Sequence, residues 1–213
     1  MLGDLSASYE SNGDPAEVSS GINDPGGISY GAYQFASNMG VPQDFVTWLQ
    51  NHTSLQWARD YGDSLAKYAV NSEEFKAEWH ELGTVDRGGF LQLQHEYTKE
   101  KYYDKAVSLL RAAYFNAEKH SQIMQDVIWS RTVQYGIGNI VEMFEDALAY
   151  IPGYADNWNL SYVDEKRFDW DLINGIYEVC MTEEWNNTSN RQSLNRRYAS
   201  ERQDALSALE KEV

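Results

Sequence analysis

The stretch Gly21-Ile22-Asn23-Asp24-Pro25-Gly26-Gly27-Ile28-Ser29-Tyr30-Gly31-Ala32-Tyr33-Gln34-Phe35 interrupts a chain whose other segments mostly repeat apolar residues at helical spacing. Its Pro25-Gly26-Gly27 run permits tight backbone geometry, and Asp24 is a residue type that forms such turns. The stretch therefore predicts a glycine-rich turn and a small β-hairpin in a mainly helical protein.

Outward from it, Leu2, Leu5 and Tyr9 recur at helical spacing until Asn12-Gly13 and Pro15, which places Glu10 in a last helical turn. Downstream, Pro42 suits the first turn of a helix to His52, and another helix covers Leu55 to Tyr68. Asn71 with Glu74 resembles a capping box for a helix ended by Gly83, and Arg87-Gly88-Gly89 reads as a turn. Helices are then predicted over Phe90 to Tyr103, Lys105 to Asn116 and Ser121 to Tyr135, the last ended by Gly136-Ile137-Gly138. Asn139 to Tyr150, Asp169 to Trp185 and Leu194 to Lys211 complete the set, with an aromatic loop over Pro152 to Ser161.

At 213 residues, without internal repeats or low-complexity tracts, the chain reads as one domain over 1–213, with room for two lobes. Its net charge of -16 argues against binding nucleic acid through phosphates and against anionic surfaces. No apolar run is long enough to span a bilayer, and the start lacks the pattern of a signal peptide, so the expectation is a soluble chain exported by another route. Cys180 is the only cysteine, which excludes an internal disulfide and marks Cys180 as a core residue. His52, His80, His95 and His120 lack metal-ligand spacing, and Asn12 to Asp24 lacks that of a calcium loop. No metal and no cofactor are expected.

Glu10 and Asp24 flank the glycine-rich turn as two carboxyl groups of different environment. Hydrolysis of a glycosidic bond needs such a pair: one acid to protonate the leaving oxygen, one carboxylate on the opposite face of the sugar. The exposed carbonyls of a helix end, with burial against tyrosines, would raise the pKa of Glu10, as a general acid requires. Asp24, in a polar turn reached by water, would stay ionised and serve as base. Spacing by itself favours the plainer reading, in which Asp24 only forms a turn and Glu10 is solvated.

Four blocks carry a family resemblance: Tyr9-Glu10-Ser11-Asn12-Gly13-Asp14-Pro15, Val18-Ser19-Ser20-Gly21, Asp24-Pro25-Gly26-Gly27 and Ser29-Tyr30-Gly31-Ala32-Tyr33-Gln34. Together they resemble the lysozyme-superfamily domain related to family 46 chitosanases, found in phage lysins and at the tips of some type VI secretion spikes. The resemblance continues through Gln94-His95-Glu96-Tyr97, Gln125 to Ser130 and Arg197-Tyr198. It implies two helical lobes with a small β-hairpin beside an active-site cleft, Glu10 as general acid, Asp24 as the base that activates water, and Ser29 helping to hold that water. Chitosanases usually carry threonine at the place of Ser29 and lack Tyr30-Gly31-Ala32-Tyr33-Gln34, a pattern closer to peptidoglycan-cleaving relatives.

Within the resemblance Tyr30, Tyr33 and Gln34 would line sugar subsites, with hairpin packing an equal reading for Tyr33. Gln94, Tyr97, Gln125 and Trp129 follow as substrate-binding candidates, although an interior hydrogen-bond network accounts for buried amides as well. The expected activity is that of a muramidase cutting β-1,4 bonds of bacterial peptidoglycan with inversion, alone or within a larger lysin or spike, and delivered by lysis machinery, a tail or a secretion apparatus. Chitosan hydrolysis and a non-catalytic wall-binding or tail-tip role are the alternatives.

Overall fold

The structure, a computed structural model, describes residues 2, 3, 13–22 and 24–212. The expected N-terminal helix, and Glu10 with it, falls on residues 4–12 and lies outside the described residues. The protein is mainly helical with a tiny two-stranded antiparallel sheet, and the backbone divides into two compact units, Glu10–Lys99 and Met1–Tyr9 with Glu100–Val213.

The unit Glu10–Lys99 opens with the hairpin. Strand β1, Ser29–Tyr30, pairs with β2, Phe35–Ala36, in the register Ser29↔Ala36 and Tyr30↔Phe35, and Val18 bridges to Tyr30 from the other side. Four helices follow: α1, Val41–Gln50; α2, Gln56–Leu65; α3, Glu73–Val85; and α4, Arg87–Thr98. They enclose an aromatic core centred on Phe45, whose ring lies 5.5 Å from Trp79, 5.3 Å from Phe35 and 5.2 Å from Tyr97. Tilted and edge-on packing of this kind adds to the burial of large apolar surface.

Three local expectations change here. The N-cap of α3 is Ser72, whose hydroxyl accepts from the Phe75 N–H; Asn71 instead adopts a left-handed conformation and accepts from the Tyr30 hydroxyl. Helix α3 continues past Gly83, because that glycine serves contact rather than termination: a Cβ there would sit 2.4 Å from the Cα of Ala16. Arg87-Gly88-Gly89 forms the first turn of α4 rather than a loop, since Asp86 caps it by accepting from the Gly89 N–H at 3.0 Å.

The other unit takes up the chain within a π-helical segment, Lys99–Tyr103. It contains α5, Asp104–Ala112; α6, Gln122–Tyr135; α7, Ile140–Ala147; α8, Asp169–Met181; and α9, Arg191–Leu209. Ser121 caps α6, and Gly136 at φ +83° ends it. Helix α6 is buried over Met124 and Asp126–Thr132, and α8 packs against both α7 and α9. Burial of this stretch requires that its polar residues be paired. Arg131 meets Glu201 of α9 at 2.7 Å, and Ser130 donates to the same carboxylate. Cys180 is buried and free, 3.6 Å from an Arg131 nitrogen.

Candidate functional site

The segment 13–18 and the hairpin are fastened to the same two helices. Gln94 of α4, fully buried, accepts from the Ala32 N–H at 2.9 Å and donates to the Pro15 carbonyl at 3.0 Å. Trp79 of α3 donates to the same Pro15 carbonyl at 3.0 Å, and His80 Nδ1 lies 3.1 Å from the Ala16 carbonyl. The Gly31 N–H donates to the Glu17 carbonyl at 2.8 Å, tying the hairpin turn directly to that segment. Arg87 completes the anchorage through Asp14 at 2.7 Å and the Gly13 carbonyl at 3.1 Å. The segment 13–17 and the hairpin thus share one support.

Asp24 is exposed, and its Oδ1 accepts from the Gly26 N–H at 2.8 Å, while its carbonyl accepts from Gly27 at 2.9 Å. The loop that carries it is closed by Asn38, which donates from Nδ2 to the Pro25 carbonyl at 2.9 Å and from its backbone N–H to the Gly26 carbonyl at 3.0 Å. The result is a carboxylate oriented by one backbone donor and open to water, a form suited to accepting a proton. Ser29 follows on β1, buried, with its N–H donating to the Ser19 hydroxyl at 2.8 Å.

Tyr33 and Gln34, in the turn between the strands, are half-buried. The Tyr33 hydroxyl lies 2.8 Å from His95 Nδ1, which fixes the ring, and Gln34, at φ +51°, donates to the Gly31 carbonyl at 3.1 Å. Both keep exposed surface that a sugar could meet.

Tyr30, Gln94 and Tyr97 differ from the expectation that they line a sugar subsite. Tyr30 has no exposed surface: its ring packs on Phe75 at 5.4 Å and Trp79 at 5.2 Å, and burial pushes its phenol pKa up. Tyr97 packs on Phe35, Phe45 and Trp48. Gln94 is the clamp described above. All three act by packing and hydrogen bonding inside the unit, and their faces are not open to a ligand.

Gln125 and Trp129 lie in the other unit. Gln125 is half-buried and accepts from the Tyr103 hydroxyl at 3.3 Å; Trp129 is fully buried, its ring 5.8 Å from that of Tyr103. Trp129 also covers Gly3, where an added Cβ would come within 2.9 Å of the indole, and Asp126 one helical turn earlier accepts from the Gly3 N–H at 2.8 Å. Trp129 therefore packs against Gly3 and has no surface exposed to a ligand.

Sequence reading missed Asn71, Asn38, His95 and the Asp14–Arg87 pair. Each acts through a partner distant in sequence, so no local spacing advertises it. The cap at Asp86 was missed as well, although an aspartate ahead of a helical run is an ordinary helix-start signal. Among the described residues no three His, Cys, Asp or Glu side chains gather as a metal site requires, and no helix is long and apolar enough to cross a membrane.

Comparison with known proteins gives the kinship. The type VI secretion system spike protein VgrG3 of Vibrio cholerae serotype O1 is 31% identical over 136 residues, which make up 63% of this chain and 12% of that protein. The match thus spans a small part of the relative's length. Residues 2–201 match the family described as type VI secretion system spike protein VgrG3-like, C-terminal, a range that takes in the clamp, the hairpin and all helices but the end of α9. The chain belongs to this VgrG3-like C-terminal family.

Proposed function

We propose that the chain is a peptidoglycan hydrolase, a muramidase that cuts the β-1,4 bond of the bacterial glycan strand with inversion at the anomeric carbon. Glu10 protonates the leaving oxygen as the bond from the anomeric carbon breaks. Asp24 takes a proton from a water whose oxygen attacks that carbon from the opposite face, with Ser29 helping to hold the water. The proton lost by Glu10 is balanced by the one Asp24 gains, and exchange with solvent resets both. The two carboxyl groups would stand about 6.5–9.5 Å apart, leaving room for the water.

The observation that carries the reading is Asp24 itself, an exposed carboxylate aimed by the Gly26 N–H in the loop that leads into a hairpin, which Gln94 ties to the segment 13–18. The four blocks that resemble lysozyme-superfamily relatives of family 46 chitosanases give it chemistry. Tyr33 and Gln34 are the subsite residues retained; Tyr30, Gln94, Tyr97 and Trp129 support the framework, and Gln125 remains half-exposed for a contact with the glycan. As part of a spike, the domain would be carried to the wall of a target cell by the secretion apparatus.

The test is digestion of purified peptidoglycan by the native chain and by Glu10→Gln, with new glycan ends identified by mass spectrometry after reduction. Reducible muramic acid ends made only by the native chain are the expected result. Anhydro ends would replace hydrolysis by transglycosylation. Absence of new ends, with turnover of chitosan in a parallel assay, would move the substrate to that polycation, which the net charge of -16 would attract. Wall binding without any new ends would leave a structural role in the spike.

A further inference from the structure

A cavity of about 300 Å³ lies in the unit containing Glu100–Val213, at the end of α7 and the exit of α8. Three carboxylates line it, Glu145, Asp146 and Glu184, with three aromatic side chains, Tyr150, Tyr154 and Trp185, and no lysine, arginine or histidine. Tyr150 and Tyr154 keep 47% and 37% of their surface exposed, which is a cost in water unless something covers them.

The aromatic walls are held in place before any ligand arrives. The Trp185 indole N–H donates to Asp146 Oδ2 at 2.9 Å, and Tyr135 packs edge-on against the indole at 5.6 Å. Tyr154 is braced edge-on by Trp158, which in turn stacks parallel to Tyr162 at 5.4 Å and 2°. With its N–H occupied by Asp146, Trp185 lines the cavity with an indole whose donor is already spent.

Aromatic faces and carboxylates share one preference, for positive charge. A metal ion would need its carboxylates gathered, and among the described residues no such group of three exists. Carboxylates spread around aromatic rings instead suit a cation with an apolar body. We propose that this cavity binds an organic ammonium group, an amine carried on a short aliphatic chain. The free amines of wall peptides are one source of that chemistry and soluble polyamines another. The inference does not rest on the hydrolase reading.

The experiment follows the indole N–H resonance of Trp185 in the ¹H–¹⁵N spectrum of the full chain, assigned with Trp185→Phe, during titration with pentane-1,5-diamine and with the neutral pentane-1,5-diol. The expected result is a saturable shift with the diamine, weakened by salt, and none with the diol. The double variant Glu145→Gln/Glu184→Gln alters only exposed side chains, so an unchanged melting temperature verifies its fold. It should bind the diamine roughly fivefold or more weakly. No saturable shift with the diamine, an equal shift with the diol, or undiminished binding by the double variant would overturn the proposal. Sacculi with free and with acetylated amines separate the sources. Weaker binding of acetylated sacculi by the native chain, with no such difference for the double variant, assigns the site to wall amines; equal binding assigns it to a soluble amine.

Discussion

Gln94 donates from its buried Nε2 to the carbonyl of Pro15, 79 positions earlier in the chain, at 3.0 Å. Its Oε1 is committed as well, to Ala32. A fully buried carboxamide with both ends bonded is a strut; removing it takes the side-chain acceptor from the Ala32 N–H and one of two donors from the Pro15 carbonyl, which the Trp79 indole still holds. Gln94→Ala should cost about 1–3 kcal/mol, read from urea denaturation, with faster amide exchange at Ala32. A loss below about 0.5 kcal/mol would show that the hairpin does not depend on this clamp.

Two glycines near this strut should respond oppositely to alanine. At Gly31 a Cβ would lie 2.3 Å from Gln94 Oε1, and φ is +72°, so Gly31→Ala should destabilise by about 2 kcal/mol or more. At Gly88, in the first turn of α4, a Cβ meets nothing within 4 Å, and Gly88→Ala should stabilise by up to about 1 kcal/mol. Thermal unfolding of the two variants checks the contrast.

Asp24→Asn separates turn formation from chemistry. The amide oxygen of asparagine can accept the Gly26 N–H as the carboxylate does, so the melting temperature should barely move. Proton acceptance is lost, and release of reducing ends from peptidoglycan should fall by about 10²–10⁴. Full turnover with an intact fold would reassign the base, with Asp14 or Glu17 next to examine.

Arg131 and Glu201 are both sealed from solvent. Burial opposes the charge of Arg131, and Glu201 more than offsets it, holding the guanidinium firmly protonated. The rings of Tyr177 and Tyr198, 5.0 and 5.1 Å away, add their faces to the guanidinium. Arg131→Met leaves a buried carboxylate unpaired and should cost about 3–5 kcal/mol. Adding Glu201→Gln should restore part of that loss, a coupling that a double-mutant cycle in urea would measure.

Asp164 gives the acid limb of stability a defined contributor. Burial works to raise its pKa, but donation from Lys119 and from the Asn116 N–H at 2.6 Å outweighs burial and holds it below the usual carboxylate range. A depressed folded pKa means that its stabilisation is complete above the unfolded value of about 3.9 and is lost as pH falls through the lower folded value. Asp164→Asn should therefore be less stable than the native chain at pH 7, with the gap closing as pH falls below about 4. Urea midpoints across that range check the sign.

Periodicity and turn chemistry, both local, were enough to read the helical class, the hairpin and most helix starts. Ser121 as a cap, Gly136 as a stop and Pro42 in a first turn act within a few residues of themselves, so the amino-acid sequence determined them by itself. The same locality misled at Gly83 and Arg87-Gly88-Gly89, where close contact with Ala16 and capping by Asp86 overrode the usual meaning of glycine. The exposed carboxylate of Asp24 was legible for the same reason as the turn. What only the tertiary structure decided is which polar and aromatic residues face water. Tyr30 and Tyr33 are three residues apart, yet one packs on Trp79 and the other reaches the surface beside His95. Gln94 carries polar atoms that could meet a sugar, but Pro15 and Ala32 arrive from far along the chain to occupy them, while Gly3 lies against the buried Trp129 ring, and burial follows from partners that no local pattern records.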